Sequence, residues 1–308
     1  MTVAVVFPGQ GSQFAGMADS WLEHPEGRKV IEQVSDAMER DLAALGRDEE
    51  ALKTTEVVQP ALFACDLAAF RVLEAEGVRF SGAAGHSLGE FVALVAAGAL
   101  ELRPALELVV TRGRAMQRAS EERPGTMTAL IGIGADDGAT IAEAARGDDV
   151  LVVANENSPK QVVLSGSLAA IDRAEAIARE RGAKAMRLRV AGAFHSALMQ
   201  PAVADIDDAI DRLTFTEPAF PVIPNVTGTP TRDPEELRGA VRRHVVSPVR
   251  WEATVRSFAA SGVDAIVEAG PGDVLTKLAR RTAEGVRGVP VGSPEDAAAF
   301  ASDAGKTS

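Results

Sequence analysis

Short apolar runs alternate with longer segments of helical periodicity in the first third of the chain. The run Thr2–Phe7 and the stretch Ala83–Gly85 are small or apolar and are bounded by Pro, Gly or Ser, which is typical of buried strands. Thr55–Glu76 and Glu101–Ser120 carry apolar residues three or four positions apart, which predicts amphipathic helices. Strands that alternate with helices in this way predict an α/β fold with a parallel, doubly wound sheet.

A different order of elements occupies residues 124–192. The apolar pattern predicts four strands and two helices in the order β-α-β-β-α-β: Thr126–Ile133, Asp137–Ala145, Val150–Ala154, Gln161–Ser165, Leu168–Arg181 and Ala185–Val190. This order is typical of a ferredoxin-like domain. Pro124-Gly125 and Gly192 flank the segment as hinges. We therefore predict a ferredoxin-like subdomain, 124–192, inserted into a larger α/β domain that comprises 1–123 and 193–308.

The pattern after the insert returns to the alternation of the larger domain. A predicted helix, Ser196–Leu213, precedes a strand, Phe220–Ile223. A second strand, Ala265–Glu268, leads through a Gly-Pro-Gly turn into a helix, Val274–Arg281. The tail from Pro294 onward is rich in Ala, Asp and Ser, and we expect it to fray.

The composition is that of a globular protein whose core consists of small and aliphatic residues, with 46% hydrophobic but only 4% aromatic residues. A net charge of −12 argues against nucleic acid or an anionic membrane as the main partner. Cys65 is the only cysteine, which excludes a disulfide framework and a Cys-rich zinc site, and its helical context predicts a core position. The N-terminal run lacks the features of a signal peptide, so we expect a cytoplasmic protein.

The segment Gly85-His86-Ser87-Leu88-Gly89 matches the G-x-S-x-G nucleophile elbow and lies between a predicted strand and a predicted helix. Its glycines allow a sharp turn that would expose the Ser87 hydroxyl. The amides at the start of the following helix favour a developing oxyanion. A serine that merely caps the helix is the structural alternative.

A serine nucleophile needs a base, and the chain has four histidines. His24 lies in a polar segment, and His86 adjoins the serine on a turn where neighbouring side chains point apart. His244 follows two arginines, which disfavour its protonation without supplying an orienting partner. His195, in an apolar loop that leads into a helix, is therefore the candidate base.

A second glycine-rich loop, Gly9-Gln10-Gly11-Ser12-Gln13, directly follows the first strand. It matches half of a dinucleotide fingerprint, but Phe14 stands where the third glycine belongs. A dinucleotide site is therefore not expected, and exposed amides that complete an oxyanion hole suit the loop better. We predict no cofactor and no metal.

Several motifs occur in a single order along the chain: Gly9–Gln13, Gly85–Glu90, Arg112 in Thr-Arg-Gly-Arg-Ala-Met-Gln, Asn155–Pro159, Gly192–His195 and Glu268–Gly272. Their combination resembles the malonyl-CoA:acyl-carrier-protein transacylases and the related acyltransferase domains of polyketide synthases. The resemblance extends to about residue 281. It implies an α/β-hydrolase-like core with a ferredoxin-like insert, in agreement with the predicted order of elements.

The resemblance also implies a role for each matching residue. Ser87 matches the nucleophile that carries malonyl as an ester, and His195 matches its general base and acid. Gln10 and Leu88 match the positions whose backbone amides form the oxyanion hole. Arg112 matches the guanidinium that binds the free malonyl carboxylate, a role that spacing alone does not assign among the arginines of its helix.

Three further positions are expected near the substrate. Asn157 matches a position that lines the site, and Phe194 provides bulk that would crowd an α-methyl branch on the acyl group. His244 stands where the family commonly has Gln, before Ser247-Pro248-Val249-Arg250-Trp251. In the family a backbone carbonyl at this position orients the catalytic histidine, and a carbonyl survives a change of side chain.

The implied activity is malonyl transfer from malonyl-CoA to the phosphopantetheine thiol of an acyl carrier protein, by a ping-pong mechanism in fatty acid or polyketide synthesis. Binding of the carrier protein is expected to be transient and electrostatic, and the enzyme to be a monomer. Two groups of cations are candidates for the docking surface. The first contains Lys184, Arg187 and Arg189, and the second contains Arg242, Arg243 and Arg250.

Two other functional classes remain open on the sequence. A serine acyl hydrolase would use water as acceptor and would draw its triad acid from Asp136, Asp148 or Asp172, although the HGGG-type loop of such enzymes is absent. A non-catalytic module that docks carrier proteins would have no use for the Ser, His and Arg set.

Overall fold

The computed structural model describes residues 1–305. The strands in this range are β1 (Val3–Phe7), β2 (Gly82–Gly85), β3 (Thr126–Ile131), β4 (Leu151–Ser158), β5 (Gln161–Gly166), β6 (Lys184–Arg187), β7 (Val222–Ile223), β8 (Ala265–Ala269) and β9 (Arg287–Val291). The α-helices are α1 (Pro25–Met38), α2 (Leu42–Leu45), α3 (Thr55–Ala75), α4 (Gly89–Ala96), α5 (Leu102–Glu122), α6 (Ala135–Arg146), α7 (Leu168–Glu180), α8 (Val203–Asp211), α9 (Pro234–Arg243), α10 (Trp251–Ala260), α11 (Val274–Thr282) and α12 (Pro294–Gly305).

A parallel five-stranded sheet has the order β7-β2-β1-β8-β9. Every residue of β1, β2 and β8 is buried, as in parallel sheets that are covered by helices on both faces. Side chains from α3 and α5 pack into the larger of the two cores beside this sheet. The predicted α/β class with a parallel sheet is confirmed.

A second, antiparallel sheet has the order β4-β5-β3-β6, with α6 and α7 packed against it around a separate small core. These strands and helices follow the β-α-β-β-α-β order that the sequence predicts, and they lie within residues 124–192. The small sheet also contacts the large domain, because β4 forms a bridge with the backbone of Val249. The cleft between the two sheets is where the predicted functional motifs meet.

The prediction for the end of the chain was wrong. The tail from Pro294 does not fray: it forms α12, whose Ala297 and Phe300 are buried in the main core. Residues 306–308 lie outside the described part of the chain. The sequence pattern also missed β9, because Gly288 and Pro290 are residues that strands usually exclude.

Two further expectations concern the interior of the large domain. The predicted helix Ser196–Leu213 is divided into a 3₁₀ turn, Ala197–Ala202, and α8, with Pro201 inside the turn. Cys65 is fully buried in α3, as predicted, and burial raises the pKa of its thiol.

Candidate active site

Ser87 lies in the sharp turn that joins the end of β2 to the start of α4. Its backbone φ is 51°, in the left-handed region that residues other than glycine seldom occupy. The flanking glycines leave no room for a side chain: a Cβ on Gly85 would lie 1.8 Å from the carbonyl carbon of Gly89, and one on Gly89 would lie 2.1 Å from the Phe7 carbonyl oxygen. Close backbone packing therefore requires both glycines of the motif.

Ser87 and His195 form a hydrogen-bonded pair, in which Ser87 Oγ lies 2.9 Å from His195 Nε2. On the other side of the ring, Nδ1 lies 3.1 Å from the carbonyl oxygen of His244 and 3.0 Å from that of Ser247. Since both of these oxygens can only accept, Nδ1 carries the proton. The lone pair of Nε2 is therefore free to accept the proton of the Ser87 hydroxyl.

The environment of His195 keeps its ring neutral. Burial lowers the pKa of the imidazole to about 3, assisted by the positive charge of Arg112 and by His86. The two carbonyl contacts act in the opposite direction but do not outweigh burial. A neutral ring is the state that a general base requires.

Arg112 reaches the same hydroxyl from α5 although its side chain is only 1% exposed. Its Nη2 donates to Ser87 Oγ over 3.1 Å, and its Nη1 donates to Gln59 Oε1 over 2.7 Å. The guanidinium lies 5.3 Å from the centre of the Phe91 ring. Burial lowers the pKa of Arg112 to about 10, with Glu90 opposing the shift, so the group stays cationic at neutral pH.

The structure separates Arg112 from its neighbours on α5 in a way that the sequence did not. Arg103, Arg114 and Arg118 are exposed, and each pairs with a carboxylate of its own chain. Arg112 alone among these four guanidinium groups is buried beside Ser87.

The backbone N–H groups of Gln10 and Leu88 make no hydrogen bond within residues 1–305. Both residues line the cavity that contains Ser87. Leu88 is the N-cap of α4, so its amide belongs to the electropositive end of that helix. Two unpaired amides in this cavity can receive a negatively charged oxygen.

The cavity has a volume of about 700 Å³ and is lined by residues of both the parallel and the antiparallel sheet domains. Phe194 and Asn157 line it and are nearly buried. Asn157 Oδ1 lies 3.0 Å from His86 Nε2, whereas Ser87 Oγ pairs with Nε2 of His195. This volume falls in the range of small-molecule and cofactor sites.

The cavity lining formed by the described residues does not include His244, which was expected near the substrate. Its ring packs against that of His195, with 5.3 Å between the ring centres. The two preceding arginines do not orient the ring; its partners come from elsewhere in the fold, with Nε2 lying 3.3 Å from Asn225 Oδ1 and 3.5 Å from Glu90 Oε2. Burial lowers its pKa well below the usual value, and Arg112 adds to the shift. The carbonyl of His244 nevertheless holds His195, as the family resemblance implies.

Three residues that contact the site residues were missed by the sequence reasoning: Gln59, which also lines the cavity, Glu90 and Asn225. Glu90 is 1% exposed, and burial raises its pKa to about 7 although Arg112 lowers it. Two of the three carry a signal in the sequence: Glu90 is a charged position within the apolar helix α4, and Asn225 follows the carboxyl end of a strand, where sites in parallel sheets collect.

In each of the two predicted groups of cations, one arginine already forms ion pairs with carboxylates of the chain. Arg187 pairs with both Asp172 and Glu175, and Arg242 likewise pairs with two aspartates. The remaining four cations are exposed and form no ion pair within residues 1–305: Lys184, Arg189, Arg243 and Arg250. Of these, Arg189 lines the mouth of the cavity.

Within the described residues, no helix is long and apolar enough to cross a membrane. The same part of the chain contains no group of three His, Cys, Asp or Glu side chains that could hold a metal ion. The aspartates predicted for a Ser–acid–His triad do not contact His195, whose Nδ1 partners are two carbonyls.

Residues 4–296 match the family model described as "Acyl transferase domain", and the chain belongs to this family. It is 40% identical over 304 residues to the malonyl CoA-acyl carrier protein transacylase of Haemophilus influenzae, covering 96% of each chain. The structure of the transacylase of this name from Coxiella burnetii superposes with a TM-score of 0.94 at 37% identity, covering 98% of this chain and 97% of the other. The resemblance inferred from the motifs is confirmed.

Another solved structure has the same fold. It is a malonyl-transacylase in complex with a type II polyketide synthase acyl carrier protein, with a TM-score of 0.94 and 35% identity, covering 98% of this chain and 100% of that chain. Members of the family thus include a transacylase seen bound to its carrier protein.

Proposed function

We propose that this protein transfers a malonyl group from malonyl-CoA to the phosphopantetheine thiol of an acyl carrier protein, through an ester on Ser87. The observation that carries the proposal is the pair of contacts on one hydroxyl: Ser87 Oγ lies beside the free lone pair of His195 and beside the guanidinium of Arg112. A base and a carboxylate-binding cation at one nucleophile suit an acyl group that carries its own negative charge. The names of the full-length relatives support the same activity.

The first half-reaction forms the ester. His195 Nε2 accepts the proton of Ser87 as the oxygen attacks the thioester carbonyl of malonyl-CoA. The amides of Gln10 and Leu88 bind the oxyanion of the tetrahedral intermediate. When this intermediate collapses, the C–S bond breaks, and the imidazolium protonates the departing CoA thiolate.

The second half-reaction runs through the same groups in reverse. The thiol of the carrier protein gives its proton to His195 Nε2 and attacks the malonyl ester. Collapse of the second intermediate breaks the ester C–O bond and returns the proton from His195 to Ser87 Oγ. Arg112 binds the free carboxylate of the malonyl group throughout, and Phe194 and Asn157 bound the space around it.

The intact mass of the protein after mixing with malonyl-CoA tests this proposal. We expect a gain equal to one malonyl group in the parent protein and no gain in Ser87→Ala. A Ser87→Ala protein that still acquires the group would refute the assignment of the nucleophile.

The fate of the ester separates transfer from hydrolysis. The acyl-enzyme, freed of excess malonyl-CoA, is divided between buffer alone and buffer that contains a carrier protein with its phosphopantetheine arm. We expect the ester to persist in buffer and to move to the carrier. Loss at equal rates in both samples would instead indicate a serine hydrolase.

We further propose that the carrier protein docks on the two unpaired cations of the first group, Lys184 and Arg189, of which Arg189 lines the cavity. Both the enzyme and carrier proteins of this kind are acidic, so docking needs a local patch of opposite sign. Reversal of both charges, Lys184→Glu with Arg189→Glu, should weaken carrier use and its salt dependence while acylation by malonyl-CoA stays normal. The matched variant Arg243→Glu with Arg250→Glu tests the second group of cations. Equal loss of both half-reactions in the first variant would refute the docking role.

A further inference from the structure

Asn225 takes no part in the reaction proposed above, yet its side chain contacts the backbone on both sides of the nucleophile elbow. Asn225 Nδ2 donates to the Gly85 carbonyl over 2.6 Å, and Asn225 Oδ1 accepts the Ser87 N–H over 2.8 Å. Because a carbonyl only accepts and an N–H only donates, these partners fix the orientation of the amide. The residue is completely buried, so water does not compete for either bond.

The sheet topology explains how Asn225 reaches this position. Strand β7 pairs in parallel with β2, with Val222 opposite Ala83 and Ile223 opposite Ala84. The chain then passes the carboxyl ends of both strands, where the backbone of β2 turns away into the elbow. At this point the side-chain amide of Asn225 takes the place of a neighbouring strand. Its one donor and one acceptor pair with backbone groups of the elbow that no longer form hydrogen bonds within the sheet.

The backbone of Asn225 extends the connection to the other half of the site. Its N–H donates to Glu90 Oε2 over 2.7 Å, and its carbonyl accepts the N–H of Arg250 over 2.9 Å. Arg250 lies three residues beyond Ser247, whose carbonyl receives the Nδ1 proton of His195. One residue thus joins the segment that carries the nucleophile to the segment that orients the base.

We propose that Asn225 is a positioning residue that holds Ser87 in its left-handed conformation and fixes the alignment of its hydroxyl with His195. The inference rests on the proposed roles of Ser87 and His195. A left-handed φ at a serine persists only where the surrounding structure holds it. The two bonds from the Asn225 amide supply that support on either side of the residue.

The chemistry of the position favours asparagine over aspartate, glutamine or alanine. An ionised aspartate would only accept, so the Gly85 carbonyl would lose its donor, and two carboxylates would meet because Glu90 already contacts this residue. A glutamine would place an extra methylene in a site that is fully buried. An alanine would leave a donor and an acceptor of the elbow unpaired.

The first test measures the rate at which a fluorophosphonate labels Ser87 in Asn225→Ala. This probe needs the aligned serine and histidine but not recognition of a malonyl group. We expect labelling about 100-fold slower than in the parent, the scale on which an ångström of misalignment lowers reactivity. In malonyl-CoA turnover, kcat should fall while KM stays near the parental value. Thr254→Val, which removes a buried hydroxyl bonded only to its own helix, is the matched control and should label normally.

The second test uses Asn225→Asp, which keeps the shape of the side chain. A protonated carboxyl has one donor and one acceptor, as the amide has, whereas an ionised one cannot donate to Gly85. The ionisable side chains that face this position are Glu90 and His244, with His195 and Arg112 beyond Ser87. Labelling relative to the parent should therefore be near normal at low pH and fall as pH rises. Burial lowers the pKa of His195 to about 3, so at any pH well above that value the base stays neutral and does not contribute to the change.

Both tests of Asn225 need a control for folding. Tryptophan fluorescence at each pH measures the folded fraction, so the labelling rate is expressed per folded molecule. Parental labelling by folded Asn225→Ala, or a ratio for Asn225→Asp that does not change with pH, would overturn the positioning role. If the parent reacts with the fluorophosphonate but is not acylated by malonyl-CoA, the proposed function fails while the test of Asn225 stands.

Discussion

Replacement of Arg112 by alanine gives the sharpest test of substrate recognition. Two parallel hydrogen bonds between a guanidinium and a carboxylate contribute about 1.5–3 kcal/mol each, or about 3–6 kcal/mol for the pair. At about 1.4 kcal/mol for each factor of ten, Arg112→Ala should lower kcat/KM for acylation by malonyl-CoA by about 10²- to 10⁴-fold. Acetyl-CoA has no free carboxylate and so makes no such contact with Arg112. Its kcat/KM should therefore fall by a smaller factor.

The ratio of the two rates, rather than either one, is the informative quantity. Arg112 also donates to Ser87 Oγ and offsets the charge of Glu90, so its removal changes the nucleophile for every acyl group. These effects cancel when kcat/KM for malonyl-CoA is divided by that for acetyl-CoA. We expect this ratio to fall by at least tenfold in Arg112→Ala, about 1.4 kcal/mol of discrimination.

Two further variants isolate the cause. Arg112→Lys keeps the charge but loses the planar pair of donors, so it should recover only part of the discrimination. Arg114→Ala removes an exposed arginine from the same helix, one that pairs with Glu56, and should leave the ratio unchanged. If Arg112→Ala slowed acylation by malonyl-CoA and acetyl-CoA by the same factor, recognition of the carboxylate by this residue would be refuted.

Further predictions concern the base, the buried acid and the acyl pocket. His195→Ala should slow acylation by about 10²- to 10⁴-fold in stopped-flow measurements, with unchanged circular dichroism; a parental rate would exclude it as the base. Burial raises the pKa of Glu90 from 4.5 to about 7, so its ionisation opposes folding, and its contribution to stability should fall as pH rises through this interval and level off above it. His195 and His244, whose pKa values are lowered, act in the opposite direction, so the test is the difference in unfolding free energy between the parent and Glu90→Gln in urea titrations: it should shift against the parent as pH rises, and a difference that does not change with pH would contradict the prediction. Methylmalonyl-CoA should react more slowly than malonyl-CoA and Phe194→Ala should narrow the gap, whereas equal rates in the parent would contradict crowding.

Much of the fold could be predicted because periodicity reports burial directly. β1 and α3 have patterns that only a buried strand and a packed helix satisfy, and both were found within a residue or two. Residues whose place depends on tertiary contacts were not found. Strand β9 exists because β8 offers it a paired edge, and α12 is held by the burial of Phe300, neither of which appears in local sequence.

The residues of the site likewise fall into those that local sequence indicates and those whose place depends on tertiary contacts. The glycines around Ser87 follow from local geometry, and spacing alone was enough to indicate the elbow. Arg112 could be chosen from four arginines only by the family resemblance, since its burial results from the packing of α5 against α3. The contacts of Asn225 join residues more than 130 positions apart, so no local pattern contains them.

The charge of the proposed substrate gives a reason for a histidine oriented by carbonyls. A triad carboxylate beside His195 would repel the malonyl carboxylate and compete with it for Arg112, which is the buried cation of the site. The carbonyls of His244 and Ser247 fix the same tautomer without adding a charge. Glu90, the acid that is present, is bound to the Asn225 N–H instead, and burial favours its neutral form. The arrangement thus leaves the cation available to an incoming anion while the base stays oriented.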